Sequence, residues 1–139
     1  LLGITRRLLS EETGAALSSL RRGNPVSNLN PIARQGAPGE NFLARTYGGR
    51  QQVGFSAGQG RRVLDNVAHS VGRESKIGRV SNRLRIRRQV ENDAYLLRNG
   101  ILKRIEWHFF PGKTGVGPSA PLEKALRDAG IDIVIHGSF

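Results

Sequence analysis

The chain of 139 residues is long enough for one ordinary domain and leaves no room for a second of similar size. Lys and Arg number 22 against 11 Asp and Glu, so the formal net charge is +11, which favours binding to polyanions, nucleic acid first among them. Because the chain contains no cysteine, a disulfide framework, a thiolate zinc site and a thiol nucleophile are all excluded.

No apolar run in the sequence approaches the about 18 residues that a membrane span requires. We therefore expect no membrane span. The sequence also lacks methionine, even at its first position, which leads us to expect a piece of a longer protein.

The first part of the chain, residues 1–38, is predicted to form a short helix and a connector. The helix is predicted within residues 8–20, with Ser10 as its N-terminal cap and two glutamates in the first turn. The stretch 24–38 is rich in Asn, Pro and Gly, which favours a connector. The remaining residues, 39–139, form the predicted core of the domain.

This core is predicted to alternate between helices and strands. The predicted helices are 40–47, 82–99 and 120–129. The predicted strands are 51–56, 62–69, 73–77, 102–110 and 131–136, with a turn at 58–60 and a break at Gly72. The order predicts an α/β fold in which a mixed central sheet is flanked by helices.

Three polar residues on two neighbouring predicted strands form a candidate site. Asp65 lies among apolar residues of one strand, and a period of two places Glu74 and Lys76 on one face of the next. If the strands pair, the two carboxylates come close together, and ionised together they require a cation. Oxygen ligands favour Mg²⁺ or a similar hard ion, which can stabilise charge on a phosphate. Lys76 would orient or deprotonate the attacking water, so the pattern predicts metal-dependent phosphodiester hydrolysis.

A simpler interpretation of these three residues stays open. Glu-x-Lys occurs in many proteins, and the alternative role of Asp65 is a plain ion pair with Arg61 or Arg62. Under that interpretation the residues form no site.

Basic residues supply a second set of candidates. The arginines of the predicted helix 82–99 form either a solvated face or a track for phosphates, with Arg85 and Arg88 as candidate substrate contacts. His108 is either a core histidine or a residue that contacts a phosphate. A metal-free ribonuclease that pairs His108 with Glu106 or Lys103 is the main rival chemistry, since residues 106 and 108 share one face of a strand.

Several segments, taken in order, carry a resemblance to a known superfamily. They are Gly39-Glu40, Gly60-Arg61-Arg62-Val63-Leu64-Asp65, Arg73-Glu74-Ser75-Lys76-Ile77-Gly78, Arg88-Gln89 and Glu106-Trp107-His108-Phe109-Phe110. The set resembles the restriction-endonuclease-like nucleases, whose core motif is an Asp followed by Glu-x-Lys on adjacent strands. More narrowly, it is similar to nuclease toxin domains at the C-terminal tips of bacterial polymorphic toxins, such as contact-dependent inhibition and Rhs-type effectors. The resemblance spans residues 39–137.

The resemblance implies a role for each matching residue. Asp65 and Glu74 would ligate Mg²⁺ or Mn²⁺, and Lys76 would serve the attacking water. Glu40 matches an acidic residue that some members use as an additional metal ligand. Gln89 matches a helix glutamine that braces the site in some branches.

Two positions depart from the superfamily pattern. Leu64 stands where many members have a proline, which leaves the site intact. The helix has Glu91-Asn92-Asp93, without the lysine that is expected before the aspartate, so the pattern supports no role for Asp93.

These observations together predict a metal-dependent endonuclease toxin that hydrolyses phosphodiester bonds, with DNA as the preferred substrate. A tRNA-cleaving ribonuclease on the same fold and a basic nucleic-acid-binding module without catalysis are the alternatives. The resemblance further implies a secreted or surface-delivered effector tip that acts in the cytoplasm of a target bacterium. It also implies an acidic cognate immunity protein, which would bind the basic toxin fast and in a salt-sensitive way.

Overall fold

A computed structural model describes residues 5–7, 37–58 and 60–139. Three helices lie in these ranges: α1 (Ala37–Tyr47), α2 (Leu84–Arg98) and α3 (Ala120–Ala129). The strands are β1 (Thr5–Arg7), β2 (Arg50–Ser56), β3 (Arg61–Ala68), β4 (Val71–Ile77), β5 (Arg79–Val80), β6 (Arg104–Phe110), β7 (Gly117–Pro118) and β8 (Asp132–His136). None of the helices in the described ranges is long and apolar enough to cross a membrane.

The main sheet has the strand order β1-β8-β6-β4-β3-β2. Strands β2, β3 and β4 pair antiparallel, whereas β4, β6 and β8 pair parallel, and β1 adds an antiparallel edge. Strands β5 and β7 form a separate parallel ladder. The predicted mixed α/β architecture is therefore confirmed.

Helices cover both faces of the sheet. The larger core packs aromatic and aliphatic side chains of the sheet against α2 and α3, and Trp107, Phe109 and Leu126 are fully buried within it. Helix α1 lies on the other face, where Leu43 and Tyr47 form a smaller cluster with Ala68. Since successive side chains of a strand point to opposite faces, the side chains of β4 point alternately toward the larger core and toward the side of the sheet that carries α1.

Helix α3 has the bounds that the sequence predicts. The Ser119 hydroxyl accepts a hydrogen bond from the amide of Leu122, and Gly130 ends the helix in the left-handed region at φ 80°. Both are strong local signals in sequence. In contrast, α2 begins at Leu84 rather than at residue 82, because its N-terminal cap is Arg83, whose side chain makes no capping hydrogen bond.

The predicted break at Gly72 is wrong, because this residue lies inside β4. A Cβ atom at position 72 would approach Leu64 Cδ1 to 2.7 Å and Leu102 Cδ1 to 2.9 Å, so the glycine permits close packing rather than a turn. The chain reverses instead at His69 and Ser70, which have φ angles of 55° and 64°. A two-residue hairpin loop of this kind needs positive φ at both positions.

Two further differences concern the start of the chain. Helix α1 begins at Ala37 rather than at residue 40, so it crosses the predicted boundary between residues 38 and 39. The strand Thr5–Arg7, which pairs with β8, was not predicted. The predicted helix within 8–20 and most of the predicted connector, up to residue 36, lie outside the described residues.

Candidate active site

An open cavity of about 900 Å³ lies where β3 and β4 meet the first turns of α1 and α2. It is lined by Glu40, Gln52, Arg61, Arg62, Val63, Asp65, Glu74, Ser75, Lys76, Leu84, Arg85, Arg88, Gln89 and Asn92. Among them are all the predicted site residues except His108. The structure thus brings together the first helix, the hairpin strands and the long helix that the sequence analysis linked.

The cavity opens because β3 and β4 separate at their far ends. Their pairing runs only from Asn66–Arg73 to Ala68–Val71, next to the hairpin turn. Beyond it, the Ser75 amide donates a hydrogen bond to Asp65 Oδ2 at 2.8 Å instead of pairing with the backbone of β3. This hydrogen bond fixes the Asp65 carboxylate in the gap between the strands.

Gln52 on β2 supplies the second partner of Asp65. Its side-chain amide donates to Asp65 Oδ1 at 3.1 Å. The backbone of Gln52 lies in the left-handed region at φ 53°. Gln51 pairs with Asn66 and Val53 with Leu64, but Gln52 and Asp65, which lie between these pairs, are not paired through the backbone. A non-glycine residue with positive φ inside a strand is strained, and such strain is typical of functional sites.

Glu74 and Lys76 lie on one face of β4, as predicted. Lys76 Nζ is 3.1 Å from Glu74 Oε2 and donates to Gln89 Oε1 at 2.7 Å. It also lies 5.0 Å from the ring centroid of Trp107. These contacts define the direction of the ammonium group and explain the position of Gln89, which braces the lysine from α2.

Glu40 reaches the cavity from the first turn of α1. The preceding residue, Gly39, is buried, and a Cβ atom there would collide with Ser75 Oγ and approach Phe110 to 3.0 Å. Glycine at this position therefore allows α1 to begin directly against β4. The negative charge of Glu40 acts on Asp65.

Sequence reasoning missed a buried ion network beneath the cavity. Arg62 Nε donates to Asp93 Oδ1 at 2.7 Å, and Arg62 Nη2 lies 3.3 Å from Glu74 Oε1. The indole N–H of Trp107 donates to Asp93 Oδ2 at 2.8 Å. Asp93, for which the superfamily pattern supported no role, is thus the anchor of this network. A signal was available, since Asp93 lies within the apolar stripe of its helix and a buried aspartate needs a cationic partner.

This network engages Arg62 with Glu74 and Asp93 rather than in a hydrogen-bonded pair with Asp65. Arg62 is 4% exposed and contacts Glu74 and Asp93, whereas the hydrogen bonds of Asp65 come from Ser75 and Gln52. Burial would lower the pKa of Arg62, but the carboxylates of Glu74 and Asp93 outweigh it and raise the pKa. The guanidinium is therefore firmly cationic.

The surroundings of the Asp65 carboxyl disfavour its ionised form. Burial, followed by the charge of Glu74, raises its pKa from 3.8 to about 7, against the stabilising hydrogen bond from Ser75. A carboxyl group whose ionisation is disfavoured by burial and by a neighbouring carboxylate marks a place where a cation would be stabilising.

The donor set fits a hard divalent cation. Glu74 Oε1 is buried and accepts no hydrogen bond within the described structure, despite its ion pair with Arg62. Asp65, Glu74 and Glu40 all offer carboxylate oxygens, the ligands that Mg²⁺ and Mn²⁺ prefer. Across residues 5–7, 37–58 and 60–139, however, no three Asp, Glu or His side chains are grouped closely enough to hold a metal as they stand. A metal would thus have to draw these carboxylates together.

His108 does not line the cavity. It is fully buried, its Nε2 lies 2.9 Å from Glu106 Oε1, and its Nδ1 lies 2.8 Å from His136 Nε2. Its ring packs edge-on against Tyr47 of α1, on the sheet face opposite Lys76. The prediction that His108 contacts substrate is therefore not supported by its position, because period two along β6 puts Trp107 on the sheet face of Lys76 and His108 on the opposite face.

Arg85 and Arg88 lie at the mouth of the cavity, and both are exposed. Exposed guanidinium groups next to buried carboxylates can hold phosphate oxygens without cancelling the site's negative charge.

Comparison with known proteins adds no family assignment: no protein-family model, no curated protein and no solved structure matches this chain.

Proposed function

We propose that this chain is a metal-dependent nuclease with a restriction-endonuclease-like core. The observation that carries the proposal is the convergence of Asp65 on β3 with Glu74 and Lys76 on β4, at the point where the two strands separate. The sequence resemblance assigns these same three residues to the core motif of such nucleases.

In this proposal, Asp65 and Glu74 hold Mg²⁺ or Mn²⁺, with Glu40 as a further ligand. The bound ion would stabilise charge on the scissile phosphate and lower the pKa of a coordinated water. Asp65 is oriented for this role by the Ser75 amide and Gln52, and Glu74 by Arg62.

Lys76 acts on the nucleophile. An ammonium group has three N–H donors. Two of them are directed at Glu74 and Gln89, so one remains for the attacking water or a phosphate oxygen. The contacts with Glu74 and Gln89 hold the Lys76 ammonium group in position, so that its remaining N–H can be directed at the nucleophile.

The exposed arginines supply the attraction for substrate. Arg61, Arg85 and Arg88 lie around the mouth of the cavity, where they meet the phosphates next to the scissile bond. The net charge of +11 adds a long-range attraction to the polyanion.

The resemblance to polymorphic toxins extends the proposal to a biological setting. The chain would be the secreted or surface-delivered tip of a large effector that cleaves DNA in the cytoplasm of a target bacterium. An acidic immunity protein would protect the producing cell. These points depend on the resemblance alone.

Cleavage assays with matched variants test the proposal. Plasmid DNA and total RNA are incubated with the protein in Mg²⁺ and in EDTA, and then with Asp65→Ala and Lys76→Ala. The matched controls are Asp128→Ala and Lys124→Ala, which remove the same charges from an exposed ion pair on α3. We expect cleavage that requires Mg²⁺, is lost in both site variants and is retained in both controls.

Other outcomes identify the alternatives. Cleavage that persists in EDTA and in both site variants contradicts the proposed mechanism and favours metal-free chemistry. Metal-dependent cleavage of RNA alone assigns the chain to the ribonuclease alternative. Binding of both polymers without cleavage of either assigns it to a non-catalytic binding module.

A further inference from the structure

The cavity does not end at the candidate active site. Two smaller cavities of about 420 and 300 Å³ continue from it along α2, and each shares two lining residues with the one before. We call them together the distal groove, and it is lined by Ala57, Gly58, Gly60, Arg88, Glu91, Asn92, Tyr95 and Arg98.

One wall of the distal groove is a single face of α2. Residues 88, 92, 95 and 98 are spaced by three or four, so their side chains follow one another along the helix. The groove therefore leads directly from Arg88, at the mouth of the active-site cavity, to Arg98 in the last turn of α2.

The other wall is formed by residues between β2 and β3, among them Gly58 and Gly60. Gly58 has φ +76°, and a Cβ atom there would lie 3.1 Å from the ring of Tyr95. Gly58 thus packs against the aromatic ring, which places this wall of the groove directly beside α2.

The chemistry of the distal groove suits a polyanion. It begins at Arg88 and ends at Arg98, two exposed arginines, with the polar Asn92 and the aromatic Tyr95 between them. Arginines and the Asn92 amide can hold backbone phosphates, whereas the Tyr95 ring packs against Gly58 and the core and forms part of the wall. Glu91 disfavours a phosphate midway, where a base or sugar would lie instead.

We propose that the distal groove binds the nucleic-acid strand on one side of the cleaved phosphate. The proposal rests on the proposed function of the adjoining site. Ten residues of α-helix separate Arg88 from Arg98, a distance of about 15 Å at about 1.5 Å per residue. That length corresponds to about four nucleotides at about 3.4 Å each. Substrates that end at the scissile phosphate do not reach Arg98.

The proposal is tested by measuring how tightly the protein binds a fluorescent single-stranded 12-nucleotide oligothymidylate. Binding is followed by fluorescence anisotropy, and EDTA is present to prevent cleavage. Arg98→Ala is compared with Arg87→Ala, which removes another exposed arginine of the same helix that lines neither the active-site cavity nor the distal groove. Losing one phosphate contact reduces the slope of log affinity against log salt concentration by about 0.7. At about 0.1 M salt this corresponds to an affinity about five-fold lower. We expect this loss for Arg98→Ala, a change of less than about two-fold for Arg87→Ala, and tighter binding for Glu91→Gln.

Equal losses in the two arginine variants would show that only overall charge matters and would overturn the proposal. So would an Arg98→Ala variant that binds the oligomer normally but binds poly-glutamate more weakly, since the groove would then hold an acidic protein.

Hydrolysis of the small substrate bis(p-nitrophenyl) phosphate in Mn²⁺ separates this proposal from the proposed function. It should proceed equally in wild type and in the control Arg87→Ala, because this small substrate requires only the residues of the active-site cavity. If hydrolysis occurs while Arg98→Ala binds the oligomer normally, the distal groove proposal fails and the nuclease proposal stands. If neither the small substrate nor the polymer is cleaved while Arg98→Ala binds the oligomer more weakly, the nuclease proposal fails and the distal groove is a nucleic-acid-binding site without an adjoining cleavage site.

Discussion

Arg62 and Asp93 form a buried ion pair beneath the candidate active site, with Arg62 Nε 2.7 Å from Asp93 Oδ1 and Arg62 Nη2 3.2 Å from Asp93 Oδ2. The pair connects the long helix α2 to β3. Because the same guanidinium also contacts Glu74, the packing of the helix and the placement of a proposed metal ligand depend on one side chain.

Arg62→Met should destabilise the protein by about 3–5 kcal/mol, because it leaves the Asp93 carboxylate buried without its cationic partner. The double variant Arg62→Met with Asp93→Leu should recover part of the lost free energy of unfolding, since replacing a buried pair by apolar groups is often neutral but the Trp107 indole N–H loses its acceptor. Urea unfolding followed by the fluorescence of Trp107, the only tryptophan, measures both. Cleavage should stay impaired in the double variant, because Glu74 has still lost its guanidinium contact. Full recovery of cleavage would show that Arg62 serves folding alone.

The local signals of the sequence account for the parts of the fold that were predicted. Helix α3 carries a serine cap and a terminal glycine, so its bounds could be predicted to the residue. Glu74 and Lys76 share one face because β4 is regular through them, and period two holds.

The parts that were not predicted depend on contacts between distant segments. Along β3 the regular alternation fails near Asp65, since Leu64 and Val67 both pack into the larger core although they are three residues apart. Nothing local signals this irregularity. Glycine usually weakens a strand, which predicts a break at Gly72, whereas the structure explains this glycine by the close approach of Leu64 and Leu102.

Gly72→Ala tests that packing explanation. The added Cβ would lie 2.7 Å from Leu64 Cδ1 and 2.9 Å from Leu102 Cδ1, so both leucines must move, at a cost of about 1–3 kcal/mol in the free energy of unfolding. Gly60→Ala is the matched control, because a Cβ at Gly60 meets no atom within 4 Å. Urea unfolding should show a clear loss for Gly72→Ala and a change within about 0.5 kcal/mol for Gly60→Ala. Equal effects would contradict the assignment of Gly72 to close packing.

His108→Gln separates a structural histidine from a catalytic one. The ring bridges Glu106 and His136 in a fully buried position, so its loss should cost about 1–3 kcal/mol by leaving a polar group unsatisfied. Cleavage per folded molecule should stay within about two-fold of wild type, because the residue touches no part of the cavity. The folded fraction is measured by circular dichroism and the cleavage rate below the transition temperature. A large loss of cleavage in fully folded protein would restore the metal-free ribonuclease as a candidate.

The pKa of Asp65 makes the stability of the metal-free protein depend on pH. Burial and the charge of Glu74 raise this pKa from 3.8 to about 7, so the folded protein holds a proton that the unfolded chain has already released. The resulting stabilisation is fully present below pH 3.8 and is lost progressively as pH rises toward 7. Asp65→Asn removes the titration. Unfolding free energies of wild type and Asp65→Asn are measured in EDTA across this pH range. As pH rises, wild type should lose stability relative to Asp65→Asn.

Added Mg²⁺ should reverse that trend in wild type, because the ion competes with the proton for Asp65 and binds only the ionised form. We expect the Mg²⁺-induced rise in Tm to be small at pH 5.5 and to increase through pH 7 to a plateau near pH 8. Asp65→Asn should show a much smaller rise at every pH, whereas Asp128→Asn, an exposed carboxylate on α3, should behave as wild type. A rise in Tm that is independent of pH, or equal in Asp65→Asn and wild type, would place any bound Mg²⁺ away from Asp65.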